Sequence, residues 1–456
     1  MTTLVMNEGA ASKAARGDES KGGSEPVRPN TQKRFLFPHW EGGGNTPPML
    51  SVARKLVGAG HAVRILSDEC NRKEAEAAGA SFTAWKRGAV RHDKSPESDP
   101  VRDWEVSSPP ALLGRLRDRV FVGPALNRAQ DVLDVMREFP ADAVVTSEML
   151  LGAMMGAERA GVPFVTLAAN VCLFPLPGVP PFGPGLMPAE GIFGKIRDVF
   201  IAGMTKREFG KGTQAYNEAR RALGLDSVAH PFDQLDRAER HLILTSEAFD
   251  FPSTNLPEKI VYAGPELGDP EWTEPWQSPW SATDQRPLVL VGFSTTYQNQ
   301  ADSLRKVMDA LGGLDVRAVV TTGPSMNPGE FPDKPNVHLC ESAPHSQLMK
   351  DASAVITHAG HGTVIRALAA GAPLLCMPMG RDQNDNAARV VGHGVGLRLD
   401  PKAKVEEIRQ SVRELLDSPR YRVRARNLGK KIVDDARRSP AVRVLEGVAT
   451  RKASPR

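Results

Sequence analysis

The chain is expected to fold as two similar α/β halves built on parallel sheets, and three observations carry that expectation. Strand and helix patterns alternate from Arg34 onward, a stretch rich in proline and tryptophan at 264–287 breaks the rhythm, and the same alternation restarts at Leu288. A chain of 456 residues is also too long for one ordinary core. Two domains of roughly 200 residues each are the natural division.

Composition excludes several classes of function. Hydrophobic residues at 41% and charged residues at 25% are values of a globular protein, which sets aside disorder and a membrane protein. The 58 Lys and Arg against 54 Asp and Glu leave a net charge of only +4, so no nucleic-acid partner is expected. Cys70, Cys172, Cys340 and Cys376 lack paired spacing, which indicates neither a zinc site nor a disulfide framework and fits a reducing cytoplasm. No run of about 18 apolar residues occurs and the N-terminus lacks the apolar core of a signal peptide. A cytoplasmic protein without stable membrane insertion follows as the expectation.

Residues 1–32 are rich in Gly, Ser, Ala and mixed charge and read as a disordered tail. "RFLF" from Arg34 is the first strand. "PMLSVARKLVGAG" is a helix with Met49, Val52, Ala53, Leu56 and Val57 on one face, ended by Gly58 and Gly60. "HAVRIL" completes a βαβ unit and so implies a parallel sheet. "DAVVTS" (142–147) and "PFVTLAA" (163–169) are further strands around the helical "LLGAMMGAERAG". Residues 173–211 then bring a proline and glycine run and an amphipathic helix, which reads either as the lining of a greasy pocket or as a packed connector. Beyond 264–287 the strands are "LVLVGF", "RAVVTT", "VHLC", "AVIT" and "LLCMP".

Two glycine loops join strand to helix. The first is "EGGGN" (41–45). The second, within 356–399, is the strongest signal in the chain: a strand runs into His358-Ala359-Gly360-His361-Gly362-Thr363 and a helix follows directly. Backbone N–H groups and the positive end of a helix dipole suit a phosphate or diphosphate there, Gly360 and Gly362 permit close approach, and His358 and Thr363 can donate. After the next strand Asp382 and Gln383 open another helix with a carboxylate and an amide suited to hydroxyl groups. A diphosphate beside hydroxyls describes a nucleotide sugar.

The block from His358 to Ala387, of the form H-x-G-x-G-T … P-x-x-x-D-Q-x-x-N-A, resembles the UDP-glycosyltransferase family in its bacterial macrolide-glycosyltransferase branch, and the likeness runs from about residue 33 to the C-terminus. The resemblance implies a GT-B fold, with two Rossmann-like domains whose parallel sheets face a central cleft. Residues 33–263 would bind the acceptor, 264–287 would be the linker, 288–430 would bind the nucleotide sugar, and 431–456 would be a C-terminal helix and tail. It also implies that His358 and Thr363 contact the diphosphate in a loop with Gly360, His361 and Gly362, and that Asp382 and Gln383 contact the sugar. Ser294 and Thr295 of "GFSTT" would form a second phosphate loop, and Ala343 and His345 would lie at the nucleobase. The implied reaction is an inverting transfer from a UDP- or TDP-sugar to a small lipophilic acceptor such as a polyketide or phenol. It would need no metal and no cofactor beyond that co-substrate, in a monomer or homodimer.

The chain departs from the family at its reaction centre. Counting back from Gly60-His61 by the family spacing lands on Pro48, and three positions earlier, where a catalytic histidine belongs, stands Asn45. The partner aspartate falls on Ser147, with Glu148 beside it. Asn45 can orient an acceptor hydroxyl but cannot take its proton. Three readings stay open: His39 as the base, Glu148 as the base, or an acceptor acidic enough to need little help. Arg366 stands where a glutamate often holds the ribose, and Ser342 where an aromatic stacks on the base. The rivals to a transferase are a catalytically silent nucleotide-sugar-binding protein and a Rossmann oxidoreductase, the latter disfavoured because "EGGGNTPP" lacks the G-x-G-x-x-G spacing.

Overall fold

Runs of Val, Leu, Ile and Ala that are apolar at successive positions, not at alternate ones, bury both faces of a strand, and that pattern selects parallel sheets covered by helices. The computed structural model describes residues 32–450, apart from 89, 107, 254, 269–275, 295–296 and 324–325. The chain from Lys33 onward forms one unit with two sheets. The first holds β1 (Arg34–Pro38), β2 (Ala62–Ser67), β3 (Ser81–Ala84), β4 (Ala143–Ser147), β5 (Phe164–Ala168), β6 (Arg240–Ile243) and β7 (Ile260–Tyr262). The second holds β8 (Leu288–Gly292), β9 (Arg317–Thr321), β10 (Val337–Cys340), β11 (Ala352–Thr357), β12 (Leu374–Cys376) and β13 (Gly396–Arg398). The strand orders are β3-β2-β1-β4-β5-β6-β7 and β10-β9-β8-β11-β12-β13, and every ladder is parallel. Two doubly wound halves are the expected architecture, and it is the one found.

Every residue of β4, β5 and β8 is buried, as central strands under helices on both faces should be. The helix Thr46–Gly58 starts two residues earlier than its periodicity suggests because Pro47 and Pro48 fit the first turn, where no N–H is needed. Gly60 closes it at φ 90°. The strands β3, β6, β7 and β13, each of four residues or fewer, are not among those read from the sequence, since so short a segment sets up no period.

The C-terminal segment returns to the first half. The helix Pro419–Arg437 runs unbroken through residue 430, where the second domain was expected to end. The helix Ala441–Thr450 then places Leu445, Val448 and Ala449 in the same apolar cluster as Phe35, Phe37 and Val145 of the first sheet. His61 Nε2 and Glu446 Oε1, 2.9 Å apart, fix its outer edge. The last helix is therefore part of the N-terminal core, across the cleft from the sheet that precedes it in sequence. Leu445→Ala should destabilise that half by about 2–5 kcal/mol, the usual cost of emptying a fully buried leucine site. Urea unfolding followed by tryptophan fluorescence checks this, and a loss below about 1 kcal/mol would mean that the helix is dispensable to the core.

Candidate functional site

In a doubly wound sheet the crevice opens at the carboxyl ends of the strands, where the strand order reverses. Those points lie between β1 and β4 in the first half and between β8 and β11 in the second. The loops leaving these strands contain "EGGGN", Ser147-Glu148, "GFSTT" and "HAGHG". Topology therefore gathers most of the residues singled out in the sequence.

In the second half three loops form one hydrogen-bonded net. The His358 ring donates to the Gly292 carbonyl at the end of β8, and burial holds its pKa down to about 4, so it is neutral at physiological pH. Ala359 takes a left-handed φ of 69°, a conformation that costs an alanine about 1 kcal/mol. Its N–H on Thr357 Oγ1 (3.2 Å) and its carbonyl on Asn386 Nδ2 (3.0 Å) hold it there. A Cβ at Gly360 would sit 2.5 Å from His358 Nε2, so this glycine is what lets the imidazole lie across the loop. The Asp382 carboxylate accepts from the His361 N–H and from Asn386 Nδ2 (2.8 Å), which seats it at the positive end of the helix His361–Ala369. Gln383 receives Met379 N–H (2.7 Å) and Gly380 N–H (3.2 Å) on Oε1 and donates from Nε2 to Gln298 Oε1 at 2.8 Å. Its amide braces the loops around a sugar site instead of standing free toward one.

The other expected donor residues spread around this net. Ser294 is buried, with its carbonyl on Gln300 Nε2, and Thr295 lies outside the described residues. Thr363, half-buried, is in the first turn of the helix, and Gly362 beside it is exposed. A Cβ at Gly362 would meet only Arg366 Nη2 at 3.4 Å, so close packing does not demand glycine there. His361 points away toward the first half, with Nε2 2.8 Å from Thr245 Oγ1. His345 Nε2 meets Thr321 Oγ1 at 3.1 Å, and Ala343 belongs to the core. Arg366 folds back on its own helix through the Gly362 carbonyl at 2.9 Å.

In the first half the glycine loop is closed on itself. Glu41 Oε1 takes the Gly43 N–H at 2.6 Å, and Asn45 Oδ1 takes the Gly42 N–H at 3.2 Å. Asp68, just past β2, receives Glu41 N–H and Arg91 N–H, while Arg91 Nη1 reaches the Glu41 carbonyl. Amides already satisfied beside a buried glutamate do not make a phosphate cradle. Asn45 does not cap its helix; its Nδ2 turns back to the Trp40 carbonyl at 3.2 Å. A Cβ at Gly42 would stand 2.9 Å from the Trp40 ring, so the loop needs glycine there to bring tryptophan and asparagine together.

Neither expected base is an open one. His39 is buried, its backbone N–H is on the Leu66 carbonyl and its own carbonyl is on Trp85 Nε1. Its Nε2 is 3.5 Å from Ser67 Oγ, and burial drives its pKa to about 3. His39 is a neutral ring set between β1 and β2, not a base in the cleft. Glu148 accepts the Leu173 N–H, and burial pushes its pKa up to about 8, so it holds its proton at neutral pH.

Sequence reading missed the contacts that cross the cleft. Arg389 pairs with Asp250 at 2.6 Å, Asp385 accepts the Gly183 N–H at 2.8 Å, and Arg381 binds Asp103. The charged run around Asp382 was a usable signal for the second-half members. Their partners sit in irregular loops that carry none.

Residues 305–446 match the family described as "Erythromycin biosynthesis protein CIII-like, C-terminal domain". The chain is 29% identical over 428 residues to 4'-demethylrebeccamycin synthase of Lentzea aerocolonigenes, covering 91% of this chain and 99% of that one. It is 25% identical to oleandomycin glycosyltransferase of Streptomyces antibioticus, covering 88% of each. Among solved structures, that of glycosyltransferase VinC in complex with DTDP superposes with a TM-score of 0.64 at 18% identity, covering 91% of this chain and 99% of that one.

Glu148 yields a measurable pH effect. In the fold it stays protonated to about 8, whereas unfolded it titrates near 4.5, so between those values the native state binds the extra proton and stability falls as pH rises. Glu148→Gln removes that term. The melting temperature of the variant should fall less than that of the parent across this window, and equal pH slopes would mean that the carboxyl is not buried as described.

Proposed function

We propose that this chain, a glycosyltransferase of the natural-product type with the GT-B fold, moves a sugar from a UDP- or TDP-activated donor onto a small lipophilic acceptor. The step is a single in-line displacement that inverts the anomeric carbon. One observation carries the reading: the loops after β8, β11 and β12 are tied into a single net, with Asp382 seated at the N-terminus of the helix that follows His358 and Gly360. Diphosphate and sugar hydroxyls then meet adjacent parts of one rigid piece. The departing diphosphate is met by a helix end and by the Thr363 hydroxyl, while His358, its one N–H spent on the Gly292 carbonyl, braces the loop; such a set of groups serves without a cation. VinC, solved with DTDP, supports a nucleoside diphosphate as the leaving group.

The acceptor class rests on a different feature. The helix Gly191–Gly210 exposes Ile192, Phe193, Ile196, Val199, Phe200 and Met204 along one side, with Phe193 84% exposed. Soluble proteins rarely leave such a stripe to water without a use for it. The helix follows the proline-rich run whose Gly183 N–H rests on Asp385 of the donor half, so an apolar acceptor could reach it from the cleft. With Asn45 unable to take a proton and His39 enclosed, an acceptor that brings its own acidity, as a phenol or an activated carbon does, fits the site best. Asn45 orients it. The reaction needs no further cofactor and belongs to the cytoplasm.

Two measurements test this. UDP and TDP titrated calorimetrically in EDTA should bind the parent chain, and His358→Ala with Thr363→Ala should weaken the better ligand by about 1.5–3 kcal/mol for the lost Thr363 hydrogen bond to charge, and further for the loop that His358 no longer braces. Unchanged affinity in the double variant would remove the donor site from this loop. Asn45→Ala should lower turnover of an acidic acceptor while leaving nucleotide affinity nearly intact, the mark of a contact used mainly in the transition state. A collapse of nucleotide binding in a folded Asn45→Ala protein would return the glycine loop to the phosphate.

A further inference from the structure

We propose that Arg381 is a positioning residue which, gripped by Asp99 and Asp103 of the first half, makes the geometry of the donor loop depend on closure of the cleft. The inference rests on the donor-site reading above and extends it to how the two halves act together.

The grip is a fork. Arg381 Nε donates to Asp103 Oδ2 at 2.8 Å and Nη2 to Asp103 Oδ1 at 2.9 Å, while Asp99 Oδ2 lies 3.5 Å from Nη2. Side-chain exposure is 25% for the arginine and 8% and 10% for the two aspartates, so water screens the contact little. A planar guanidinium on a carboxylate fixes orientation as well as distance, which an ammonium would not do.

Both ends of the fork are built for it. Asp99 Oδ1 is already used by the Val101 and Arg102 N–H groups at 2.7 and 3.2 Å, which leaves Oδ2 for the arginine. Arg102 has φ 44° and Arg381 φ 55°, so each loop carries a left-handed, non-glycine residue at the contact. Such residues persist where their surroundings over-determine them. Trp104, beside Asp103, meets Tyr297 edge to face at 5.4 Å. The loop 99–105 thus touches the segments after both β8 and β12.

Position gives the fork its consequence. Arg381 immediately precedes Asp382, and its charge is close enough to act on both Asp382 and His358. Gly380, just before it, supplies an N–H to Gln383 Oε1. Pulling Arg381 away therefore moves the segment that carries the sugar-binding carboxylate. A buried ion pair is weak evidence for stability. What the pair supplies is register between two loops.

Hydrogen exchange on the full chain, with UDP and with TDP, tests this without needing an acceptor. Bound nucleotide should slow exchange in 99–105, a loop of the opposite half, by about tenfold or more, the size of an ordinary coupling between sites. Asp103→Asn and Arg381→Asp should each abolish that slowing while calorimetry still detects nucleotide. Arg381→Lys, which keeps the charge without the fork, should retain only part of it. Protection of 99–105 that persists in Asp103→Asn or in Arg381→Asp overturns the coupling. A parent chain that binds neither nucleotide takes down the donor-site reading and the coupling with it.

Discussion

The structure depends on one constraint of parallel sheets: where a strand ends, the peptide groups just beyond it lose their ladder partners and must find others. At the strand-order reversals these groups lie in a crevice, out of reach of neighbouring strands. The molecule answers by letting the loops satisfy one another. Ala359 closes on Asn386 and Thr357, His358 on Gly292, Asp382 on His361, and Gln383 on Gln298. Apart from the local bond of Ala359 to Thr357, each joins segments that leave different strands, so the loops cannot move independently. A surface meant to hold two neighbouring groups of one ligand gains its rigidity in this way, before the ligand arrives.

The two halves meet by other means. Val171 and Phe249 of the first half pack into the apolar cluster of the second, and polar contacts add to them: Arg389 on Asp250, Arg381 on Asp103, His361 on Thr245, Ser246 on Asp435. Arg389 also lies over the Phe251 ring at 4.7 Å, and Tyr262 donates to Asp250, so the buried aspartate is fully engaged. An apolar junction would hold the halves together almost regardless of alignment. Paired charges reward one alignment and penalise others, because a displaced partner leaves a desolvated charge behind. Such a junction suits halves that must close in a single geometry. The helix Ala441–Thr450 adds a further apolar tie, since Leu445 lies in the first core.

Most of this fold could be read from the sequence. Central strands announce themselves through unbroken apolar runs, and each strand quoted from the sequence lies within two residues of its expected ends. The glycine block at 358–363 was legible because a strand, a sharp turn and a helix N-terminus each leave a residue signature. What the sequence could not display was the use of each side chain. Gln383 reads as a ligand for hydroxyl groups, yet its amide is spent on Met379, Gly380 and Gln298. His39 reads as a base because its free titration range is right, and only burial between β1 and β2 removes it. Asp99, Asp103 and Asp250 lie in loops without periodicity, so their roles appear only once the halves are side by side.

The first-half loops follow the same logic of burial against charge. Position 45 carries an amide, which takes no proton, and Ser147 at the end of β4 carries no carboxylate. Glu148, the nearest carboxyl in sequence, is buried and pushed up to about 8, so most of it carries its proton at neutral pH. A base without its partner loses both orientation and basicity. Asparagine avoids the difficulty, because its amide needs no ion to hold it: Gly42 and Trp40 fix both of its ends. A fixed dipole therefore stands in the glycine loop, able to orient a bound group but not to take a proton from it.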